Sequence, residues 1–408
     1  MTATESISAH AAAITPSSGH EKNGSPASRA NTQRHDSGKG GDKELPSALS
    51  SLAWADSSEA SNDFRSDFFT KPTLPMLKAI INMSLGDGDS EEDAATLDLE
   101  QFVADLLGKE AALLAVSGTM CNQVALRAAL TVQPYSILAD HRAHITCLEG
   151  GGPAALCGAM IKTVIPSNGH HLTLDDFKRH AVLTTKSWDC PTRVISLENT
   201  LMGTVMPLSE MRAISQWARA QNPPIHMHLD EARLWEAASA GAFTFREAGQ
   251  SFDNLQLCFT KGLGAPIGSI VVGGTAFIQR AKWSRRLCGG SSRASEVIVA
   301  PAKVAIETIF LGKQLQGAQD KARHASALWE ALGGTIQVPT ETNMLWFDLN
   351  ASGLTDEDFY PLCSEFGIKV GEPLPGRVVF HHQITEDAFA RLCDRFRAVF
   401  KERNLRRG

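Results

Sequence analysis

The amino-acid sequence predicts an α/β fold built around a mostly parallel sheet. Short apolar runs of strand length alternate with longer stretches in which apolar residues recur at helical spacing. Runs that are apolar on both faces and separated by helices are typical of parallel strands covered by helices on both sides. The clearest strand-like runs are residues 111–116, 193–197, 225–229, 255–259 and 267–272.

The N-terminal segment, residues 1–62, is dominated by Ser, Ala, Gly and Thr. So few large apolar side chains cannot offset the entropy that is lost on ordering, and we expect a disordered tail. The segment has no apolar core of a signal peptide, and its acidic residues argue against a mitochondrial presequence. We therefore expect a cytoplasmic protein.

Two folded domains are expected after the tail. Helical spacing of apolar residues over 100–108 ends at a glycine and predicts a first helix. The strand–helix alternation makes residues 63–320 the expected large α/β domain. Strand-like runs at 342–349 and 377–381 lie between helical segments, so residues 321–408 are expected to form a small α+β domain.

Composition argues against several function classes. The chain has 408 residues, and its net charge of −6 gives no electrostatic reason to expect a nucleic acid or an anionic membrane as partner. No apolar run approaches the roughly 20 residues that span a bilayer. The eight cysteines form no C-x-x-C pair, which favours a reducing compartment without a disulfide framework.

Two charged residues at the ends of strand-like runs carry the sharpest chemical signal. Asp230 ends the run 225–229, and Lys261 follows the run 255–259. Ligands of open α/β sheets bind at the carboxyl ends of strands, so both groups should face one crevice. Pyridoxal phosphate (PLP) needs an amine for its aldehyde and a carboxylate opposite its ring nitrogen. The alternative is a surface Asp and Lys at loop starts.

The second signal is a candidate phosphate site. Ser117, Gly118 and Thr119 follow the run 111–116 and open a helical stretch. Backbone N–H groups at a helix start bind phosphate, although the same triplet also serves as a generic helix cap. A cluster of arginines could add positive charge or could simply be solvated: Arg285, Arg286 and Arg293.

One histidine pair has the spacing of a metal site. His226 and His228 lie two residues apart on one face of a predicted strand. No further ligands accompany them, so we interpret them as ordinary sheet histidines and expect no metal.

Eight short motifs occur in a recognisable order. They are FRSDFFTKP at 64–72, GKEAA at 108–112, SGTMCN at 117–122, AHI at 143–145, LENT at 197–200, LDEARLW at 229–235, TKGLGAPIG at 260–268 and TNML at 342–345. Together they resemble the motifs of low-specificity L-threonine aldolases, over about residues 63–400. The resemblance implies a PLP-dependent enzyme of fold type I with a seven-stranded sheet. It also implies a homo-oligomer, a dimer or tetramer, with active sites shared between subunits.

The resemblance implies a set of cofactor-binding residues. Lys261 would bind the cofactor aldehyde, Asp230 would bind the ring nitrogen and His144 would stack on the ring. Gly118 and Thr119 would hold the phosphate. Three arginines are also implied at the cofactor, two of them reaching the phosphate from a neighbouring subunit: Arg233 on one side, and Arg286 and Arg293 on the other.

The same resemblance implies how the substrate is bound. Ser66, Arg233 and Arg377 would grip its carboxylate, because the planar fork of arginine matches two carboxylate oxygens. The family's usual Glu-Asn-Thr-His sequence here ends in Leu201, which removes a polar contact to the substrate hydroxyl. Ser90 replaces a usual tyrosine, and the sequence around Gly289 also departs from the family pattern.

These departures leave three functions open. The first is aldol cleavage of a β-hydroxy-α-amino acid such as L-threonine or L-allo-threonine, with His144, or a water near His144 and Glu149, as the base. The apolar Leu201 indicates a substrate side chain that is bulkier or less polar than that of threonine. The second is racemisation of the alanine-racemase type or β-elimination, in which no hydroxyl ligand is required. The third is a binding subunit without catalysis, which the retained Lys261 and Asp230 argue against.

Overall fold

The computed structural model describes residues 58–371 and 374–407. The predicted tail therefore lies outside the described residues up to residue 57, and its last part, Ser58–Ser61, forms one short helix. In the part of the chain that is described, no helix is both long enough and apolar enough to cross a membrane.

Helices and strands alternate through most of the chain. The helices are α1 Ser58–Ser61, α2 Leu74–Ile81, α3 Ala94–Leu107, α4 Gly118–Ala129, α5 His144–Cys147, α6 Gly152–Cys157, α7 Leu174–His180, α8 Leu208–Arg219, α9 Leu234–Ser239, α10 Phe245–Ser251, α11 Thr275–Leu287, α12 Glu296–Ala305, α13 Gln314–Ala331, α14 Asp356–Glu365 and α15 Glu386–Arg407. The strands are β1 Ala111–Ala115, β2 Ser136–Asp140, β3 Met160–Val164, β4 Thr192–Glu198, β5 His226–Glu231, β6 Asn254–Cys258, β7 Ser269–Gly273, β8 Thr335–Ile336, β9 Met344–Asp348 and β10 Arg377–Val379.

The large sheet has seven strands in the order β1-β7-β6-β5-β4-β2-β3. The β2–β3, β2–β4, β4–β5 and β5–β6 pairs are parallel, and β7 is antiparallel to both of its neighbours. Along β1, Leu113 packs into one hydrophobic cluster and Leu114 into another, so the sheet is buried on both faces. The predicted α/β fold with a mostly parallel sheet is confirmed.

The predicted helix at 100–108 is only the second half of α3. The helix begins earlier because Asp93 caps it, its side chain accepting a hydrogen bond from the Thr96 N–H at 3.1 Å. It ends at Gly108, whose φ of 65° lies in the left-handed region that favours glycine. The predicted end of the helix is thus correct, whereas its start was missed.

A smaller antiparallel sheet, in the order β10-β9-β8, lies in the C-terminal part of the chain. Its hydrophobic cluster is centred on Trp329, whose ring contacts the aromatic rings of Phe347, Phe359, Phe396 and Phe400. Phe64, far away in sequence, packs into the same cluster. The segment that follows Phe64 is thereby held at the C-terminal sheet, next to Arg377.

Candidate active site

Loops at the carboxyl ends of the large sheet bring the predicted residues together. Asp230 is the second-last residue of β5, Lys261 follows β6, and His144 is the first residue of α5, after β2. A ring nitrogen of His144 and one carboxylate oxygen each of Glu149 and Asp230 lie within 4.8 Å of one another. The Lys261 ammonium is close enough to His144 to influence the pKa of that ring. β5 and β6 are parallel neighbours, so Asp230 and Lys261 lie at the same edge of the sheet, and their joint role in one binding crevice stays a prediction.

Asp230 is a buried carboxylate held by two neutral amides. Its Oδ2 accepts a hydrogen bond from Asn122 Nδ2 at 2.7 Å, and its Oδ1 accepts one from Gln256 Nε2. Among the described residues, no cationic side chain pairs with it. A buried carboxylate favours a positively charged partner. A protonated pyridine nitrogen would supply that charge, so Asp230 fits the ring nitrogen of PLP.

His144 and Glu149 form a hydrogen-bonded pair beside Asp230. His144 Nδ1 lies 2.8 Å from Glu149 Oε1, and this contact raises the pKa of the imidazole. Glu149 also accepts hydrogen bonds from Asn122 Nδ2 at 2.8 Å and from Gln123 Nε2. The Asn122 NH2 group thus lies between two carboxylates and bridges them with its two hydrogens.

Glu198, at the end of β4, lies on the other side of His144. Its Oε2 accepts a hydrogen bond from the backbone N–H of His144 at 2.7 Å, which fixes the start of α5. Burial, followed by the nearby charge of Asp230, raises the pKa of Glu198 to about 8. Burial and the charge of Asp230 thus both favour the neutral form of this carboxyl.

The candidate phosphate cradle lies where β1 joins α4. Ser117 caps α4 by accepting a hydrogen bond from the Met120 N–H at 3.1 Å. A Cβ atom on Gly118 would lie 2.6 Å from Cys258 Sγ, so only glycine fits at this position. The helix start leaves a tight backbone cradle with partial positive charge, which suits a phosphate dianion.

The two arginines expected at the phosphate lie elsewhere within this chain. Arg286 pairs with Asp89, and Arg293 Nε lies 3.2 Å from Asp87 Oδ2. Both side chains are well exposed, at 70% and 87%. Their expected contact with the phosphate of a neighbouring subunit remains a prediction.

The fork of Arg233 is already occupied. Its Nε donates to Asp67 Oδ2 at 2.8 Å and its Nη2 donates to Asp67 Oδ1 at 2.7 Å. Ser66 Oγ and Asn343 Nδ2 also donate to Asp67, at 3.4 and 3.2 Å. Burial opposes ionisation of Asp67, but Arg233 holds its pKa well below the usual range. Only Nη1 of Arg233 lies outside this pair, and the expected contact of Arg233 with the substrate carboxylate stays a prediction.

Arg377 has an unused donor close to the pair of Arg233 and Asp67. Its Nη2 donates to the Arg65 carbonyl at 2.9 Å, while its buried Nε has no hydrogen-bond partner in the described part of the chain. Burial, and then the charge of Arg233, lowers the pKa of Arg377 to about 10. The guanidinium is still charged at neutral pH, and it needs an anion.

Leu201 follows β4 and is 8% exposed. Its carbonyl accepts hydrogen bonds from the N–H and the Oγ1 of Thr204, at 3.0 and 2.7 Å, which closes a tight turn. The preceding residue, Thr200, has a buried hydroxyl without a partner among the described residues. An apolar side chain therefore lies at the position where the family motif has a histidine.

Comparison with known proteins supports the cofactor chemistry of this crevice. The sequence profile of the family described as beta-eliminating lyase matches residues 63–352. The chain belongs to the beta-eliminating lyase family. It is a PLP-dependent carbon–carbon lyase, as the threonine aldolase motifs predicted.

Three curated relatives show how broad this part of the beta-eliminating lyase family is. An aldolase from Penicillium aethiopicum is 46% identical, with 84% of this chain and 87% of the relative covered. A low-specificity L-threonine aldolase from Eremothecium gossypii is 40% identical, with 86% and 88% covered. An alanine racemase from Cochliobolus carbonum is 37% identical, with 88% and 92% covered.

A solved structure supports the fold. A threonine aldolase from Leishmania major aligns with a TM-score of 0.72 at 18% identity, with 83% of this chain and 99% of that chain covered. At this identity the likeness shows the fold alone. The expected PLP-dependent fold type I is confirmed.

Several side chains that build the crevice were not singled out from the sequence: Asp67, Asn122, Glu198 and Gln256. Gln256 could have been identified from the sequence, because a buried side-chain amide between two leucines of a strand needs a hydrogen-bond partner. Asp67, Asn122 and Glu198 lie inside the quoted motifs, but their partners are distant in sequence. Only the folded chain shows which groups they contact.

Proposed function

We propose that this lyase cleaves a β-hydroxy-α-amino acid to glycine and an aldehyde, and that it prefers a substrate side chain less polar than that of threonine. The observation that carries the proposal is the pairing of His144 with Glu149 beside Asp230. The preference for a less polar side chain rests on Leu201, a buried apolar residue at the motif position where the family has a histidine. The names of two relatives, an aldolase and an L-threonine aldolase, support the same reaction class.

Five residues are proposed to hold the cofactor. Lys261 would bind the aldehyde covalently, and Asp230 would keep the ring nitrogen protonated. His144 would lie against the ring, while Gly118 and Thr119 would bind the phosphate. When bound, PLP supplies an electron-accepting ring that stabilises negative charge on the substrate Cα.

The proposed base is His144. If its Nδ1–H donates to Glu149 Oε1, then Nε2 carries the lone pair and can accept the proton of the substrate hydroxyl. Glu149 stabilises the resulting imidazolium, since its carboxylate is held in place by two amide donors. Loss of the hydroxyl proton then drives cleavage of the Cα–Cβ bond.

The proposed anchor for the substrate carboxylate is Arg377. Its buried charge and its unpartnered Nε favour an anion with two oxygens. Ser66 and Arg233 contribute through Asp67, which keeps the wall beside Arg377 rigid. Leu201 would then contact the substrate side chain.

A homo-oligomer with shared active sites is also proposed. On α11, Trp283 and Leu287 are 82% and 80% exposed, next to the exposed arginine Arg286. Large exposed apolar side chains that lie close together are typical of a subunit interface. A neighbouring subunit would cover these side chains and receive Arg286 and Arg293 at its phosphate.

The proposed cytoplasmic location has one structural support. All eight cysteines are free thiols. Burial raises the thiol pKa of four of them, Cys121, Cys157, Cys363 and Cys393, and buried free thiols are typical of proteins that fold under reducing conditions.

An aldehyde-release assay tests the reaction. Purified protein reconstituted with PLP is incubated with L-threonine, L-allo-threonine and L-phenylserine, and aldehyde is measured. Aldehyde from any of them supports cleavage, and a preference for phenylserine supports contact with Leu201. No aldehyde from the three substrates would contradict the proposal.

Racemisation is the second candidate, because Leu201 removes the usual hydroxyl ligand and one relative is named an alanine racemase. Incubation with L-alanine in deuterated water separates the two reactions. Exchange of the Cα hydrogen without aldehyde release from hydroxy-amino acids would favour the racemase. Aldehyde release without alanine exchange would favour the aldolase.

A further inference from the structure

A row of polar side chains lies buried behind Asp230. It runs from Asn122 to His228, then to Asn254 and finally to His226. His228 and His226 were interpreted as ordinary sheet histidines. The row crosses the sheet from the carboxyl end of β5, where Asp230 lies, to its amino end.

Each link in the row is a hydrogen-bonding contact. Asn122 Oδ1 lies 3.2 Å from His228 Nε2, and His228 Nδ1 lies 2.5 Å from Asn254 Oδ1. Asn254 Nδ2 contacts His226 Nε2. His226 lines a cleft of about 530 Å³ at the amino end of the sheet, with 22% of its side chain exposed. The row therefore connects Asp230 with the opposite side of the domain.

The orientation of Asn122 decides where the proton on His228 must be. Both hydrogens of the Asn122 NH2 group point to carboxylates, at 2.7 Å from Asp230 and 2.8 Å from Glu149. The amide oxygen therefore has to face His228 Nε2 and can only accept. His228 must carry a hydrogen on Nε2, because two facing acceptors would repel each other.

The opposite orientation of Asn122 would be costly. A half-turn of its amide would place the oxygen against Asp230 and Glu149, both buried acceptors. Each carboxylate would lose a hydrogen-bond donor in a buried site of low dielectric constant, where an unpaired charge is costly. A donor on His228 Nε2 thus acts together with the two carboxylates to favour the orientation in which Asp230 is hydrogen-bonded.

We propose that His228 is a positioning residue for the cofactor: by donating from Nε2 to Asn122, it keeps the Asn122 amide turned toward Asp230 and Glu149. The inference rests on the proposed role of Asp230 at the ring nitrogen. Burial lowers the pKa of His228, so the ring is neutral and its single hydrogen is the one that Asn122 requires. A neutral His228 with its hydrogen on Nε2 accepts at Nδ1, which lies 2.5 Å from Asn254 Oδ1. The inference therefore requires a half-turn of the Asn254 amide, which presents its NH2 group to His228 Nδ1 and its oxygen to a hydrogen on His226 Nε2.

Two isosteric replacements separate this role from simple packing. In His228→Gln, the side-chain NH2 reaches the place of Nε2 and can still donate to Asn122. In His228→Asn, the NH2 reaches only the place of Nδ1, so the contact with Asn254 remains and the contact with Asn122 is lost. Both variants remove the ring and leave a similar cavity, and thermal unfolding of each shows whether it folds.

The affinity of the apoprotein for PLP is measured by titration, together with the absorbance of the bound cofactor against pH. We expect His228→Gln to stay within about threefold of the wild type, and His228→Asn to bind PLP about tenfold more weakly with a shifted absorbance titration. Equal weakening in the two variants would overturn the inference, because packing alone would then explain it. A wild-type result for both would overturn it as well.

The Asp230→Asn variant distinguishes this failure from failure of the proposed cofactor site. If Asp230→Asn changes PLP affinity and absorbance while the two His228 variants behave alike, only the role of His228 is overturned. If Asp230→Asn changes neither the PLP affinity nor the absorbance, the proposed role of Asp230 at the ring nitrogen is wrong. The proposed role of His228 is then wrong as well, because it depends on that of Asp230. The exposed His324, changed to Asn, serves as the surface control.

Discussion

The side chains proposed to bind the cofactor and those proposed to bind the substrate differ in how their charged groups are satisfied, although Gln123 Oε1 and the Glu231 carboxyl, near Asp230, also lack partners among the described residues. On the cofactor side, both oxygens of Asp230 accept hydrogen bonds from amides, and Glu149 accepts three. On the substrate side, Arg377 Nε and Thr200 Oγ1 are buried without partners among the described residues. Buried polar groups without partners are costly, so they mark the place that a ligand completes.

The difference teaches how one scaffold can keep its cofactor and change its reaction. Asp230 and its partners belong to β5, β6 and α4, which are fixed by the core of the large sheet. Leu201 belongs to a turn, so its side chain can change without disturbing the residues around Asp230. The relatives, named as aldolases and as a racemase, are consistent with this division.

Removal of the amine at Lys261 should have the largest effect, because the cofactor side would lose its only covalent link. We expect Lys261→Ala to lower kcat by about four orders of magnitude or more and to abolish the absorbance of the covalently bound cofactor. Steady-state kinetics and absorbance spectra check this. Lys303→Ala, at an exposed lysine on α12, is the control, and an active Lys261→Ala enzyme would refute the assignment.

Asp67→Asn should cost stability rather than chemistry. The change leaves Arg233 as a buried unpaired cation, so we expect the free energy of unfolding to fall by about 3 kcal/mol. Chemical denaturation of the apoprotein measures it. Asp387→Asn, which breaks the surface pair with Arg391, should cost less than about 1 kcal/mol. Equal losses in the two variants would show that the pair of Asp67 with Arg233 is not specially important.

The sequence predicts one side of this comparison better than the other. The sequence predicts that Asp230 and Lys261 lie at strand ends, because the periodicity of apolar residues is a local property. It also predicts that they face one crevice, because ligands of open α/β sheets generally bind at the carboxyl ends of the strands. The sequence does not reveal the partner of Arg233, because Asp67 lies 166 positions away and its position depends on the packing of Phe64 against the C-terminal sheet. Charge pairing between distant segments depends on packing, which periodicity does not encode.

Arg377→Lys should weaken the substrate side alone. Lysine keeps the charge but loses the planar fork, so we expect kcat/KM for the amino acid to fall about 30-fold, mainly through KM. The affinity for PLP should stay unchanged, which a titration of the apoprotein checks. A parallel loss of PLP affinity would show that the two sides of the crevice are not separable.

Leu201→His restores the residue of the family motif and should change substrate preference. A histidine at this turn can bind a hydroxyl group, so the ratio of kcat/KM for L-threonine to that for L-phenylserine should rise about tenfold. Leu201→Met keeps an apolar side chain of similar volume and should leave the ratio near that of the wild type. An unchanged ratio in Leu201→His would mean that the side chain at this position does not contact the substrate.

Glu149→Gln should give the smallest effect, seen only in the pH dependence. The hydrogen bond from Glu149 raises the pKa of His144, because the carboxylate stabilises the imidazolium. Activity that requires neutral His144 rises with pH through this pKa. A neutral glutamine lowers the pKa toward its ordinary value, so the ascending limb of kcat/KM should move to lower pH by about one unit. The exposed Glu365, changed to Gln, should leave the limb in place, and a shift to higher pH in Glu149→Gln would rule out His144 as the base that Glu149 supports.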